Sequence, residues 1–446
     1  MKKSKYTFTV NKNDGLVLMN YMSGAVDKIE KDEAEEFLKR YESDNWSDYE
    51  HMVHLYKNGY LCKDETEENQ NIRKKYIEFS EEYENTPVQL IFSTTYACNF
   101  SCSYCFQSDY KEDNVLLNNE IINSFFNYIE KRFNDESQRP YITLFGGEPL
   151  LNGKTYKDAL LYFLKTARDK NYEIAIVTNG YTLSEYAPIF KEENIKIKEI
   201  QVTLDGDKNM HDGRRKTKTG GETFEKIAAG IDAVLKLGYR VNLRTIIDKE
   251  NISKLPYLAQ YCEDKGWLGY GSKYFESTVG RNYELYGCGK GANLFDRLTM
   301  WQEFIKLAEE NPILKRFHKP QFHGIRYLSE NKELPMPVFD ACPAGKKEWA
   351  FDAKGNIYGC TASVGVEKYK LGSFLDENEP LNTDQIEQWA SRDVLTIEAC
   401  KNCAVSLSCG GGCGVIACNE TGKILSENCR PVKELIKLGL EYYNII

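Results

Sequence analysis

The chain has 446 residues, 41% of them hydrophobic and 28% charged, which is room for two or three globular domains. No run approaches the roughly 18 apolar residues of a membrane span. The 58 basic residues against 67 acidic ones leave a net charge of -9, so the chain has no excess positive field for a nucleic-acid backbone.

The amino terminus, MKKSKYTFTV, passes straight into alternating residues without the apolar core and cleavage site of a signal peptide, so a cytoplasmic protein is expected. In that compartment, 14 cysteines against five histidines point to metal rather than disulfides. YTFTV and LVLMNY then alternate like two short strands, KDEAEEFLKRY and WSDYEHMVHLYKNG have helical spacing, and GYLCKDETEE reads as a returning strand. That order fits a small α+β, winged-helix-like unit over residues 1–86, whose charged stretch NQNIRKKYIEFSEEYEN (69–85) is a helix leading into the next domain.

VQLIFSTT (88–95) is a continuous apolar, β-rich run bounded by Pro87 and reads as a buried strand. Cys98, Cys102 and Cys105 follow in ACNFSCSYC, in the loop beyond the strand's C-terminal end, where α/β barrels keep their chemistry. In so cysteine-rich a chain a chance C-x3-C-x2-C has a probability of roughly one in eighty, so the surroundings must carry the assignment. Three close thiolates can hold three irons of a cubane and leave the fourth to a small-molecule ligand. Structural zinc would need a fourth Cys or His, and the loop has none.

A second buried strand, YITLF (141–145), runs into Gly146-Gly147-Glu148-Pro149. EIAIVTNG (173–180), KEIQVTLDG (198–206) and YRVNLRTII (239–247) read as further strands, alternating with helical stretches near 154–170, 184–192, 222–237 and 252–265. Such alternation predicts a parallel barrel. LTMWQEFIKLAEEN (298–311) is an amphipathic connecting helix. The cysteines then return as Cys342-x12-Gly355-x4-Cys360, a gap, Cys400-x2-Cys403-x5-Cys409-x3-Cys413, and x15 to Cys429, before a closing helix in PVKELIKLGLEYYNII.

CNFSCSYC resembles the C-x3-C-x-aromatic-C loop of the radical S-adenosylmethionine (radical SAM) superfamily, with Tyr104 in the aromatic place, and Gly146–Pro149 resembles that family's GGEP motif. The carboxy-terminal block resembles the whole SPASM signature of its peptide-modifying members. The resemblance implies a partial (βα)6 TIM-like barrel over 87–280, linker helices over 281–334 and a SPASM domain over 335–446. It implies three 4Fe-4S clusters and SAM as cofactors. Cys98, Cys102 and Cys105 would hold the cluster whose open iron chelates SAM, and the 5′-deoxyadenosyl radical released from SAM would take a hydrogen atom from the substrate. Glu148 would offer its carboxylate to the SAM ammonium, and Asn179, Thr203 and Arg215 would lie at strand ends that contact the ribose or carboxylate.

Carried over in the same way, Cys400, Cys403, Cys409 and Cys429 would hold the distal auxiliary cluster, and Cys342, Cys360 and Cys413 the proximal one. LPMPVFDA, ahead of Cys342, offers no fourth thiol, so Cys288 or Cys418 would close the proximal site or a substrate thiolate would bind there. Implied partners are a precursor peptide with its leader, gripped by the unit at 1–86, and an external electron donor of flavodoxin or ferredoxin type. A purely structural role for that unit is the alternative.

The activity expected is peptide maturation by a cysteine thioether crosslink, with carbon–carbon crosslinking or formylglycine formation in sulfatases as alternatives. Formylglycine formation is disfavoured because Thr361 follows Cys360 where that family has an aspartate general base. A bare iron–sulfur electron carrier is disfavoured by GGEP and the three-cysteine loop, which such a carrier has no use for.

Overall fold

YTFTV and LVLMNY form neighbouring strands, the second buried along its whole length, and a computed structural model of the chain, describing residues 1–105, 107, 115–135, 138–281, 293–376 and 378–445, shows what they join. After a short strand β1 (Lys2–Lys3), β2 (Thr7–Lys12), β3 (Gly15–Asn20) and β4 (Ala25–Glu30) make an antiparallel meander in the order β2-β3-β4. Helix α1 (Lys31–Ser43) buries Phe37 against Leu16, Leu18 and Ile29 of that sheet. The helix expected over 46–59 is confined to α2 (Met52–Lys57). Trp46 turns inward instead, 5.8 Å from the Phe37 ring, and donates Nε1–H to Asp44 Oδ1 at 2.7 Å. GYLCKDETEE is likewise split. Its Leu61–Cys62 (β5) pairs antiparallel with β1, and Asp64 already caps α3 (Glu65–Glu84) by accepting the Glu67 amide.

These 86 residues share one unit with Lys319–Cys342 and Ser391–Ile446. Within it Tyr21 donates to His323 O at 2.6 Å, Tyr76 to Asp393 Oδ2 at 3.1 Å, and the Tyr76 ring meets Phe339 edge-on at 5.2 Å. The closing helix is Val432–Tyr442, with Leu435, Ile436 and Leu440 buried.

The other unit comprises Pro87–His318 and Pro343–Ala390. Its parallel strands are β6 (Gln89–Ser93), β7 (Tyr141–Phe145), β8 (Ile174–Thr178), β9 (Ile197–Thr203), β10 (Val241–Ile247) and β11 (Phe275–Arg281). They alternate with α4 (Asn119–Arg132), α5 (Lys154–Asp169), α6 (Leu183–Glu192), α7 (Lys208–Arg214), α8 (Phe224–Lys236) and α9 (Leu255–Asp264). The sheet does not stop at β6. Beyond it lie β12 (Glu348–Asp352), parallel to β6, then β13 (Asn356–Tyr358) and β14 (Lys370–Ser373), both antiparallel to their neighbours. The order β11-β10-β9-β8-β7-β6-β12-β13-β14 is open, with no closed barrel among the described residues. Phe92 and Phe125 of the βα layers meet Phe351 of β12 and Phe374, just past β14, at centroid distances of 5.2 to 6.4 Å. Each such ring contributes about 1.5–3 kcal/mol by burial, so the added strands share the core of the parallel sheet.

Candidate active site

The chain turns sharply after β6, and the loop Thr94–Cys105 is pinned along both sides by backbone hydrogen bonds. On one side Thr94 N donates to Phe145 O (3.1 Å), while Thr95 O and Ala97 O accept Gly147 N (2.7 Å) and Glu148 N (2.9 Å). On the other, Ser101 N donates to Lys216 O, Ser103 N to Arg214 O, and Lys218 N returns a bond to Asn99 O, at 2.9 to 3.1 Å. Tyr96, ahead of Cys98, donates its hydroxyl to the buried Asp352 of β12 at 2.9 Å. Cys98, Cys102 and Cys105 are all half-buried, and Cys102 and Cys105 lie within electrostatic reach of Cys98. Burial, reinforced by the Glu148 carboxylate, pushes the Cys98 thiol up to about 12. Such a thiol stays protonated at neutral pH until a metal claims its sulfur, so the site fits a cluster cysteine and not a free nucleophile.

The two glycines of Gly146–Pro149 are required by the cysteine loop. A Cβ on Gly147 would stand 2.1 Å from Ala97 O, and one on Gly146, at φ +132°, 2.3 Å from Thr95 O. Glu148 is fully buried, and burial raises its carboxyl above the usual range. Its Oε1 accepts Leu150 N (2.8 Å) and Thr178 Oγ1–H (2.6 Å), and its Oε2 accepts Asn179 N (2.7 Å). The carboxylate therefore braces the ends of β7 and β8. Asn179 passes the brace on, donating Nδ2–H to Asn99 Oδ1 at 2.7 Å beside Cys98. Pro149 is buried, and Thr203 is the buried last residue of β9.

Tyr104 and Arg215 meet in a network that sequence reasoning missed. Arg215 Nη1–H donates to the Tyr104 oxygen at 2.7 Å, and Tyr104 O–H donates to Asp205 Oδ2. Asp205 is fully buried, and its Oδ1 accepts Ile246 N at 2.9 Å. Arg214 pairs with Asp248 at 2.7 Å and lies 5.0 Å over the Tyr104 ring. The one signal for this network was Asp205 itself, an acid closing the apolar run of QVTLDG.

His211 backs the network, accepting Asp205 N at Nδ1 (3.1 Å) and sharing a hydrogen with Thr223 Oγ1 through Nε2 (3.1 Å). Burial, then the Arg215 charge, pushes it down to about 3 from 6.5. The folded state thus holds His211 neutral while the unfolded chain protonates it below pH 6.5, so stability is lost as pH falls from 6.5 toward 3. Unfolding of the metal-free protein should lose about 1.4 kcal/mol more between pH 7.5 and 5.5 than His211→Asn does. Equal pH dependence in urea melts of the two would show that His211 is not held neutral.

In the first unit, Cys400, Cys403, Cys409 and Cys429 are gathered within electrostatic reach of one another. Burial pushes Cys400 up to about 12 and raises Cys409 and Cys429 as well. Among the described residues no His, Cys, Asp or Glu group is drawn together as the ligands of a single metal ion. Cubane thiolates each bind a different iron and stand farther apart than that, so the wider gathering fits a 4Fe-4S cluster. Cys342 and Cys413 belong to the first unit and Cys360 to the second. Cys418 is half-buried on the helix Gly414–Thr421. Cys288 lies outside the described residues.

Residues 92–262 match the model of the Radical SAM superfamily. A cysteine-type anaerobic sulfatase-maturating enzyme of Clostridium perfringens is 23% identical over 368 residues, 79% of this chain and 92% of the relative. Among solved structures, anSMEcpe with bound AdoMet and Cp18Cys peptide superposes with a TM-score of 0.58 at 18% identity, covering 80% of this chain and 96% of that one. Streptococcus suis SuiB bound to precursor peptide SuiA gives a TM-score of 0.53 at 14% identity, covering 97% of this chain and 99% of that one.

Proposed function

We propose, from a chain that carries a radical SAM domain and is homologous to anaerobic sulfatase-maturating enzymes, that this enzyme modifies a ribosomally made precursor peptide by joining a cysteine sulfur to a carbon of another residue. The observation that carries the peptide reading is that the fold accounts for 97% of the chain in a superposition on a precursor-peptide complex, against 80% on the sulfatase-maturating fold. The added share is close in size to residues 1–86.

In this reading Cys98, Cys102 and Cys105 hold the SAM-binding cluster, and Cys400, Cys403, Cys409 and Cys429 an auxiliary one. Cys342, Cys360 and Cys413 hold a third, completed by Cys288, Cys418 or a substrate thiol. When bound, the first cluster and SAM supply the 5′-deoxyadenosyl radical that abstracts hydrogen from the peptide. The chain's own part is placement. Gly146 and Gly147 let the GGEP backbone lie against the cysteine loop, Glu148 and Asn179 brace that loop, and Tyr104, Asp205 and Arg215 fix its far end. The edge strand β4 offers the leader a place to add a strand. An external flavodoxin- or ferredoxin-type protein supplies electrons, and the reducing cytoplasm suits a chain in which no disulfide joins the described cysteines. No helix among the described residues is long and apolar enough to cross a membrane.

The sulfatase-maturating relative favours a second reading, formylglycine formation. Against it, Thr361 replaces the expected aspartate and is committed elsewhere, its N–H and Oγ1–H both donating to Glu348 Oε1 at 2.7 Å. Product analysis on a short cysteine-containing peptide encoded beside the gene separates the readings. Thioether formation removes two hydrogen atoms and leaves the cysteine inert to alkylation. A hydrazide-reactive aldehyde would mean formylglycine, and a crosslinked peptide with an alkylatable cysteine would mean carbon–carbon bonding.

A further inference from the structure

Asn179 follows β8 and is 7% exposed, and every polar atom of its side chain is spent inside the protein. Oδ1 accepts the N–H of Tyr181, two residues on, at 2.9 Å. That turn fixes the orientation of the amide, because its oxygen is tied to the chain's own backbone and the NH2 group must point to the other side. There Nδ2 donates to Asn99 Oδ1 at 2.7 Å and to Cys98 Sγ at 3.9 Å. The backbone is held as firmly, Asn179 N–H donating to the buried Glu148 carboxylate at 2.7 Å. A role as a SAM contact, which the resemblance implied, does not fit this arrangement. The SAM carboxylate would need an amide hydrogen, and both are already given to the cysteine loop.

Cys98 Sγ receives another N–H from Phe100, at 3.4 Å, and the Phe100 ring meets Tyr181 edge-on at 5.6 Å. The sulfur also lies 3.9 Å from Asn99 Oδ1, a contact that it can make as a thiol donor but not as a metal-bound thiolate. Asn179 covers both halves of that change. When the thiol proton leaves, Asn99 Oδ1 keeps a hydrogen from Asn179, and the sulfur keeps donors from Asn179 and Phe100. A 4Fe-4S cluster gains one negative charge on reduction, so N–H bonds to a ligand sulfur favour the reduced form.

We propose that Asn179 is a positioning residue of the cluster held by Cys98, Cys102 and Cys105, where it fixes the Cys98 sulfur and raises the reduction potential through its own N–H, while its side chain does not touch SAM. This rests on the reading that those three cysteines hold a cluster. The redox step is uptake of one electron by the cluster, with the external donor protein oxidised by one electron.

The test uses the full-length protein, reconstituted anaerobically and titrated electrochemically under EPR without SAM. The relevant signal is the one that Cys102→Ala removes. Asn179→Ala should shift the potential of that signal to more negative values at unchanged iron content. Asn179→Asp, which keeps the shape and the Tyr181 bond but exchanges the donor for a negative oxygen, should shift it further. Equilibrium dialysis of SAM against the same loaded proteins reads the other half. Affinity should change less than about three-fold in Asn179→Ala, where loss of a hydrogen bond to the SAM carboxylate would cost about tenfold or more. An unmoved potential in a fully loaded Asn179→Ala protein overturns the proposal, and so does a tenfold loss of SAM affinity. If Asn179→Ala alone fails to load iron, the potential of Asn179→Asp decides in the same way, and loss of the cluster in both variants overturns the proposal by making Asn179 a folding element. If Cys102→Ala removes neither iron nor signal, the underlying cluster assignment fails instead.

Discussion

Changing Cys98, Cys102 and Cys105 together to alanine should abolish release of 5′-deoxyadenosine and, on the proposed three-cluster reading, lower the iron content from about 12 to about 8 per chain. The three thiols share one half-buried loop, and Cys102 and Cys105 lie within electrostatic reach of Cys98, whose thiol burial pushes up. Cys400, Cys403, Cys409 and Cys429 belong to the other unit and should keep their cluster. Anaerobic iron analysis with EPR reads the clusters, and chromatography reads the nucleoside. Persisting 5′-deoxyadenosine formation would remove the radical SAM assignment from this loop.

Gly147→Ala should be almost as damaging without touching a ligand. The new Cβ would stand 2.1 Å from Ala97 O and 2.6 Å from Tyr96 O, and both obstacles are backbone. Relief requires the two loops to part, breaking Gly147 N–H to Thr95 O and Glu148 N–H to Ala97 O. Two lost hydrogen bonds at about 1 kcal/mol each, plus overpacking at about 1–3 kcal/mol, give a destabilisation of about 3–5 kcal/mol. The displaced loop should also load little iron. Gly213→Ala is the control: the position lies in α7 with nothing within 4 Å of an added Cβ, and alanine there should be neutral or stabilising by up to about 1 kcal/mol. Urea unfolding of the metal-free proteins measures both. A Gly147→Ala protein as stable as wild type would mean that the loops can part without cost.

The parallel strands were legible because burial on both faces leaves continuous apolar runs. YITLF is β7 to the residue, and the four other runs end within four residues of β6, β8, β9 and β10. β11 escaped because FESTVGR has only two large apolar residues, Phe275 and Val279, and fills an inward position with Ser277, whose hydroxyl donates to Phe317 O. β12 to β14 escaped for a different reason. EWAFD and NIY are too short to stand out, and nothing local announces that β12 pairs with a strand near residue 90. At the site, cysteines and glycines were visible because their spacing is rigid, whereas Asp205 and Arg392 act through partners far along the chain. Arg392 in particular reads as an ordinary surface charge, yet it is fully buried and donates to the carbonyls of Ile424 and Ser426.

The pairing of β12 with β6 also sets a timetable for synthesis. Gln89 emerges long before Glu348, its partner in register, and at 5–20 residues per second the edge of β6 waits roughly 10–50 s for its neighbour. During that interval an apolar strand of the future core presents unpaired N–H and C=O groups, the condition that invites association with another chain. Asp352 arrives with β12, so the Tyr96 hydroxyl beside the cysteine loop lacks its acceptor over the same period. Loading iron into the first three cysteines should therefore follow completion of the chain, and nascent chains released before residue 352 should aggregate as apoprotein.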